Sequence, residues 1–218
     1  MKLYLSSYRF GDRPDLLLAM VQTGARVGVV ANAADLIAPQ ARAAYRRDVH
    51  DPVAELRDHG LDAHDLDLRD YFGRPEALAE TLAGLAMVWV TGGNAFLLRR
   101  AMRQSGFDRV ALPLIEQDRL VYAGYSAGAC VACPSLRGID LMDEPERVAE
   151  GYDPAIVWEG LGLIGFHIVP HYDSAHPESE AADKVTMYML DQAMPYRTMR
   201  DGDVLVRDET GIKAYERA

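Results

Sequence analysis

The sequence has no long hydrophobic run, little cysteine, and fewer basic than acidic residues. No stretch of 18 residues is uniformly apolar, so a membrane-spanning helix is not expected. Two cysteines among 218 residues do not make a disulfide framework. Lys and Arg number 23 against 33 Asp and Glu, a net charge of −10, whereas nucleic-acid phosphates require concentrated positive charge. Neither a membrane nor a nucleic acid is therefore an expected partner.

Two further signals are missing. The amino-terminal segment MKLYLSSYRFGD has neither the apolar block nor the cleavage site of a signal peptide, so we expect a cytoplasmic protein. No G-x-x-x-x-G-K-[ST] phosphate-binding loop occurs, which lowers the expectation of a nucleotide.

Short apolar runs alternate with longer helical patterns, which predicts βαβ units and a mostly parallel sheet covered on both faces. At 49% hydrophobic content, residues 1–218 suffice for one α/β domain. A long helical pattern covers residues 38–58, residues 62–68 resemble an edge strand, and residues 196–218 alternate as closing antiparallel strands would. The predicted inner strands are KLYLSS, ARVGVVAN, AMVWVTGG, LVYAGYS and LIGFHIVP.

In such a sheet, ligands bind at the carboxyl ends of the strands, and the first informative strand end is VWVTGGNAF. Gly92 and Gly93 follow the strand, and a helix begins near Asn94. Paired glycines let backbone N–H groups approach a ligand closely, as in an oxyanion hole or a phosphate cradle. A plain strand-to-helix turn is an equally good interpretation of this segment alone.

The second strand end, GYSAG at 124–128, matches the G-x-S-x-G nucleophile elbow. A serine on this sharp turn would expose its hydroxyl, and the N–H of Ala127 would be a natural oxyanion donor. The alternative is a turn in which Ser126 only caps the helix.

The third strand end, IVPHYDS, places His171 where a general base for Ser126 is needed. His167 lies inside the strand and is expected to pack in the core, and His176 is a weaker candidate base. Candidate substrate contacts are Asn94, Tyr172 and Lys184.

Together, TGGNAF, GYSAGACVACPS and IVPHYDS resemble the peptidase E family, which comprises the α-aspartyl dipeptidases and relatives that include cyanophycinases. The resemblance implies a flavodoxin-like, three-layer α/β fold related to class I glutamine amidotransferases. It also implies a serine peptidase that acts on dipeptides or short peptides without metal or cofactor, in a family that tends to form homodimers. By position, Ser126 matches the nucleophile, His171 the base, and Gly92 or Gly93 the oxyanion segment beside the Ala127 N–H.

Two acids compete to complete the triad. Asp201 falls where the family places an acid after the histidine, although that residue is usually Glu and Asp is shorter. Asp140, fourteen residues after the serine, matches another acidic position in the family. We favour Asp201, while RDGD also fits a simple Asp-Gly hairpin turn.

The resemblance weakens at the substrate pocket. Aspartyl dipeptidases carry an arginine on the helix after the catalytic histidine, which pairs with the aspartate side chain of the substrate. Here that region contains Ala182, Asp183 and Lys184 but no arginine, and lysine lacks the planar bidentate fork. A preference other than amino-terminal Asp is therefore expected.

The pair Cys130 and Cys133 spells C-x-x-C, a pattern of redox and zinc sites. It has no second Cys or His pair at zinc-finger spacing, so buried thiols packed between helix and sheet are the better interpretation.

Two rival functions stay open at this point. An α/β-hydrolase esterase also uses G-x-S-x-G, and Asp140 would fit its order of triad residues, but no HGGG-type segment is present. A non-catalytic amidotransferase-like binding module would carry Ser126 in place of a catalytic cysteine.

Overall fold

Nine strands and eight α-helices occur in residues 1–217, the part of the chain that the structure, a computed structural model, describes. The strands are β1 (Leu3–Ser6), β2 (Arg26–Val30), β3 (Asp62–Asp65), β4 (Met87–Val90), β5 (Val121–Tyr125), β6 (His167–Val169), β7 (Tyr196–Thr198), β8 (Val204–Asp208) and β9 (Gly211–Tyr215). The helices are α1 (Pro14–Leu18), α2 (Pro39–Asp48), α3 (Pro52–Asp58), α4 (Pro75–Ala83), α5 (Ala95–Ser105), α6 (Phe107–Glu116), α7 (Ala127–Cys130) and α8 (Ser179–Asp191).

Seven strands form one sheet in the order β3-β2-β4-β5-β1-β8-β9. The first five run parallel, while β8 pairs antiparallel with both β1 and β9. The mostly parallel, flavodoxin-like α/β fold is confirmed, as are the edge strand β3 and the antiparallel strands β8 and β9. The prediction of antiparallel strands is wrong for β7, which pairs in parallel with β6. The order reverses between β2 and β4, and a crevice for ligands opens at such a switch point.

Strand β4 shows how the core is divided by the sheet. Its four residues are all buried, as expected for a central parallel strand. Because side chains alternate, Val88 and Val90 join the apolar cluster on one face, and Met87 and Trp89 join the cluster on the other. No helix within residues 1–217 is long and apolar enough to cross a membrane.

The segment LIGFHIVP differs from its prediction. Only residues 167–169 form a strand, and β6 pairs in parallel with β7 in a separate two-stranded sheet, with His167 opposite Tyr196. Strand β6 is therefore not an inner strand of the main sheet. Residues 201–202 lie between β7 and β8, which belong to different sheets, so they are not the turn of a hairpin.

The long helical pattern over residues 38–58 is two helices. It is interrupted at residues 49–51, where Asp51 caps α3 by accepting the N–H groups of Val53 and Ala54. Pro52 occupies the first position of α3, where its missing N–H costs nothing, but it cannot continue α2.

Candidate active site

Ser126 stands at the corner between β5 and α7 in an unusual backbone conformation. Its φ is 50° and its ψ is −117°, a region that costs a non-glycine residue about 1–3 kcal/mol. The corner is tight because β5 and α7 press against the Val90 carbonyl of β4. A Cβ at Gly124 would lie 2.8 Å from that oxygen, and one at Gly128 only 2.2 Å. A side chain at either glycine would clash with this carbonyl, so both positions require glycine. Ser126 is held between them with its hydroxyl facing the crevice.

His171 follows β6 and directs its ring at that hydroxyl. Its Nε2 lies 3.1 Å from Ser126 Oγ, and the side chain is only 1% exposed. Its backbone has a φ of 61°, a second strained position.

Asp201 lies on the other side of the imidazole. Its Oδ1 is 2.8 Å from His171 Nδ1, and its own N–H donates to Ser174 Oγ at 2.8 Å. A carboxylate only accepts, so the ring proton belongs on Nδ1, which leaves Nε2 free to accept from Ser126. Burial favours the neutral acid, but the hydrogen bond from His171 and the charge of its ring outweigh it and lower the pKa of Asp201.

The two candidate acids separate clearly in space. Asp140 is exposed, and its Oδ1 accepts the N–H of Gly138 at 2.8 Å within a local turn. Of the two, Asp201 is the carboxylate that the fold brings to His171.

Ser7 is a residue of this site that sequence reasoning missed. It lies just beyond β1, fully buried, and its Oγ accepts the backbone N–H of His171 at 2.8 Å. The same hydroxyl donates to Asp201 Oδ1 at 2.8 Å. One side chain thus fixes both the strained backbone of His171 and the carboxylate. Its position directly after an inner strand is the sequence feature that could have identified it as a site residue.

Backbone donors for an oxyanion are present at two strand ends. Within residues 1–217, the N–H groups of Gly93 and Ala127 donate to no other protein group, and both residues line a small cavity beside Ser126. Gly93 has a φ of +132°, and a Cβ there would lie 2.6 Å from the Ala33 carbonyl. A Cβ at Gly92 would lie 3.0 Å from the Cβ of Ser126. The paired glycines thus allow the turn to pass close to the serine.

A larger cavity of about 500 Å³ opens on the crevice between β2 and β4. Its floor holds Ser126 and His171, and one wall is α2, a helix with no buried residue. Aromatic and apolar side chains dominate, with two arginines and two further histidines among them. The lining is Tyr8, Ala31, Ala34, Ile37, Ala41, Arg42, Tyr45, Arg46, His50, Pro52, Thr91, Gly92, Gly93, Tyr125, Ser126, His171, His176 and Glu178.

The arginines of α2 are already paired. Arg42 binds Asp35, and Arg46 binds Asp51 at 2.8 Å and Asp65 at 2.9 Å. These carboxylates neutralise the guanidinium charges beside the cavity.

The sequence-based substrate contacts need correction. Asn94 caps α5, with its Oδ1 accepting from Leu97 N–H and its Nδ2 donating to the Glu144 carbonyl. Tyr172 lines a separate groove beside β7, because the residue after His171 is directed away from the crevice. Lys184 is exposed on α8 and pairs with Glu180 at 3.0 Å. None of these three side chains lines the cavity at Ser126 within residues 1–217.

His176 stacks on His171, with ring centroids 3.7 Å apart and planes 9° apart. Glu178 completes a group of three metal-ligand types whose ligand atoms lie within 4.8 Å of one another. An imidazole binds a metal in the plane of its ring, and two parallel stacked planes do not meet at one ion. The group therefore suits a metal only if a ring turns.

The two cysteines hold β6 in place. Both are free and buried, which confirms their interpretation as packed thiols, and burial raises the pKa of each. Cys133 Sγ accepts the N–H of Ile168 at 3.2 Å, and Cys130 Sγ donates to the Ile168 carbonyl at 3.8 Å. Strand β6 leads directly into His171, so these contacts help position the base candidate.

Residues 160–165, GLGLIG, spell the G-x-G-x-x-G of dinucleotide-binding folds, but they precede β6 and open no helix. The fingerprint requires a strand before it and a helix after it. The segment is a loop in which a Cβ at Gly160 would lie 1.8 Å from the Cys133 carbonyl.

Comparison with known proteins finds similarity to peptidases. The sequence model of peptidase family S51 matches residues 13–215. The uncharacterized peptidase Lin0382 of Listeria innocua is 30% identical over 135 residues, which are 62% of each chain. Peptidase E of Citrobacter koseri is 33% identical over 110 residues, 49% of this chain and 44% of that protein. The chain thus spans under two thirds of the length of these relatives.

The structural comparison agrees on the fold. A crystal structure of a Listeria monocytogenes protein, described as a candidate peptidase E, superposes with a TM-score of 0.80 at 21% identity and covers 100% of this chain and 98% of that one. A peptidase from an acI-B1 actinobacterium superposes with a TM-score of 0.64 at 15% identity, covering 100% and 88%. At these identities the likeness concerns the fold.

Proposed function

The chain belongs to peptidase family S51, and from that membership we propose that it is a serine peptidase that hydrolyses dipeptides or short peptides through an acyl-enzyme on Ser126. One observation carries the proposal. Ser126 Oγ, both ring nitrogens of His171 and Asp201 Oδ1 form a continuous hydrogen-bonded line, with steps of 3.1 and 2.8 Å. Such a line is the arrangement that activates a serine at neutral pH.

In the acylation step, Ser126 Oγ attacks the scissile carbonyl carbon while His171 Nε2 takes the hydroxyl proton. The Asp201 carboxylate stabilises the resulting imidazolium, and the N–H groups of Gly93 and Ala127 stabilise the oxyanion. His171 then delivers the proton to the leaving amine as the C–N bond breaks. A water molecule releases the acyl group by the same steps in reverse, with His171 again as base.

The cavity supports a preference that is not restricted to amino-terminal aspartate. Its lining is mainly aromatic and apolar, and its two arginines are neutralised by aspartates. Lys184, the cation nearest in sequence to the arginine position of aspartyl dipeptidases, is exposed and paired on α8. A substrate carboxylate would find no unpaired guanidinium among the cavity residues named above. An apolar side chain would instead bury area against Tyr45, Ile37 and Tyr125.

A fluorophosphonate probe followed by a panel of dipeptides tests the proposal. The wild-type protein should be labelled on Ser126, and Ser126→Ala should lose the label and all turnover. Ser105→Ala is the matched control, since that buried serine donates to the Met102 carbonyl within α5. Equal labelling of wild type and Ser126→Ala would refute a Ser126 nucleophile, and a marked lead for aspartyl dipeptides would refute the substrate preference.

A further inference from the structure

Glu178 has a carboxylate beside the reacting atoms that the peptidase mechanism does not use. Its Oε2 lies 3.6 Å from His171 Nε2 and 4.0 Å from His176 Nδ1. It lines both the large cavity and the small cavity beside Ser126. The side chain is 41% exposed, so an incoming substrate can reach it.

The position of Glu178 is not explained by helix capping. It is the N-cap residue of α8, but its side chain makes no capping hydrogen bond. The carboxylate is directed instead at the two stacked histidines.

Glu178 also has no permanent cation as a partner. Within residues 1–217, its ion-pair candidates are His171 and His176. Burial and the charge of His171 lower the pKa of His176, which keeps that ring neutral near pH 7. The carboxylates around α2 differ, because Asp35, Asp51 and Asp65 each bind an arginine. Glu178 is thus a charge beside the nucleophile that awaits a positive partner.

Substrate chemistry supplies such a partner at one end of a peptide only. When the scissile bond follows the first residue, the α-ammonium group is bonded to the carbon next to the scissile carbonyl. It therefore lies within a few ångströms of Ser126 Oγ in the reacting complex. In the interior of a longer peptide the same position holds an uncharged amide N–H, which cannot neutralise a carboxylate.

We infer that the Glu178 carboxylate binds the free α-ammonium group of the substrate when the scissile bond follows the first residue. The inference rests on the proposed peptidase function. A hydrogen bond between two opposite charges is about twice as strong as one between neutral groups. Glu178 is then a specificity residue that selects the charged end of a peptide.

The test compares a dipeptide turned over in the panel with its N-acetyl derivative. Wild type should favour the free amine by about 10- to 100-fold in kcat/KM, the range of a charged hydrogen bond. Glu178→Gln should lose most of that ratio, mainly through a higher KM for the free amine. Glu180→Gln is the matched control, because Glu180 is exposed on α8 and pairs with Lys184.

Two results would overturn the inference. If Glu178→Gln lowers kcat/KM equally for both substrates, the carboxylate acts on His171 and not on the ammonium group. If wild type hydrolyses the two substrates equally, no ammonium site exists. A thermal melt of each variant identifies any loss of fold, and Glu178→Asp, which keeps the charge, should retain part of the preference.

Binding separates this inference from the proposed function. In the Ser126→Ala background, calorimetry should show the free dipeptide binding more tightly than the acetylated one, and Glu178→Gln should remove the difference. Should Ser126 prove unreactive while this difference persists, the peptidase proposal fails and the ammonium site stands. If instead the protein labels normally on Ser126 but binds the free and acetylated dipeptides equally, the ammonium site fails and the peptidase proposal stands.

Discussion

Asp201 Oδ1 lies 2.8 Å from His171 Nδ1, although the two residues belong to turns thirty positions apart. The contact depends on the parallel pairing of β6 with β7, which sets the two turns side by side. Asp140 occupies a separate local turn and bonds Gly138.

Asp201→Asn is expected to lower kcat/KM by about 10³- to 10⁴-fold, because an amide presents an N–H to the ring or leaves it in the wrong tautomer. Asp140→Asn should leave activity within about threefold of wild type. Steady-state kinetics on one dipeptide measures both. Full activity in Asp201→Asn together with a large loss in Asp140→Asn would reverse the assignment.

Ser7→Ala should slow the chemistry while leaving substrate binding nearly unchanged. The substitution leaves the His171 N–H without its partner and removes one hydrogen bond from Asp201. We expect kcat to fall by about 10- to 100-fold with KM little altered. Ser6→Ala is the control, since that neighbouring buried hydroxyl bonds the Arg9 carbonyl. A similar loss of kcat in both variants would point to a general disturbance of β1.

Asp143→Asn should stabilise the protein at high pH and not at low pH. Burial raises the pKa of Asp143 from 3.8 to about 7, although its Oδ2 accepts the N–H of Ala95 at 2.7 Å. An acid whose pKa is raised by folding costs no stability below its unfolded pKa. The cost grows as pH rises from 3.8 and is complete above about 7.

Urea unfolding at pH 4 and pH 8 measures this difference. The variant should gain on the order of 1–2 kcal/mol at pH 8, less than full linkage would give because the side chain keeps some solvent contact. Glu144→Gln, at an exposed neighbour that pairs with Arg147, should show no such pH dependence. A gain of equal size at both pH values would contradict burial of the charge as the cause.

Gly128→Ala should destabilise the fold and abolish the geometry at Ser126. The new Cβ would lie 2.2 Å from the Val90 carbonyl, and β4 and α7 cannot both keep their places. A loss of about 1–3 kcal/mol or more in the free energy of unfolding is expected from such overpacking. Gly165→Ala, where nothing lies within 4 Å, provides the comparison by chemical denaturation. A Gly128→Ala protein as stable as wild type would show that the backbone between β5 and α7 shifts to make room for the methyl group.

Much of the site is predictable from the chain because parallel strands bring their carboxyl ends to one edge. Gly93 and Ser126 follow the adjacent strands β4 and β5, so their proximity is a consequence of the sheet. His171 was predicted by the same rule although β6 lies outside the main sheet. Its position depends on the contacts of Cys130 and Cys133 with Ile168, which a pattern of residues does not reveal.

The misplaced substrate contacts have a different cause. Asn94 follows the end of β4 by four residues, but its side chain is occupied in capping α5. Tyr172 follows His171 directly, but both residues lie in the turn after β6, and Tyr172 lines the groove beside β7. Side-chain direction, unlike strand order, depends on local dihedral angles such as the φ of 61° at His171.

Helix α2 forms one wall of the cavity and buries none of its residues. It is attached through Arg42 and Arg46 to aspartates of neighbouring loops and strands. Substitutions at its inward positions, such as Ala41 and Tyr45, change the shape of the cavity without leaving a void in either apolar cluster. On the proposed function, substitutions here would change substrate choice with little loss of stability, whereas Gly128 has no room for a Cβ. Relatives of such a protein can therefore differ in substrate preference while they keep the same catalytic groups.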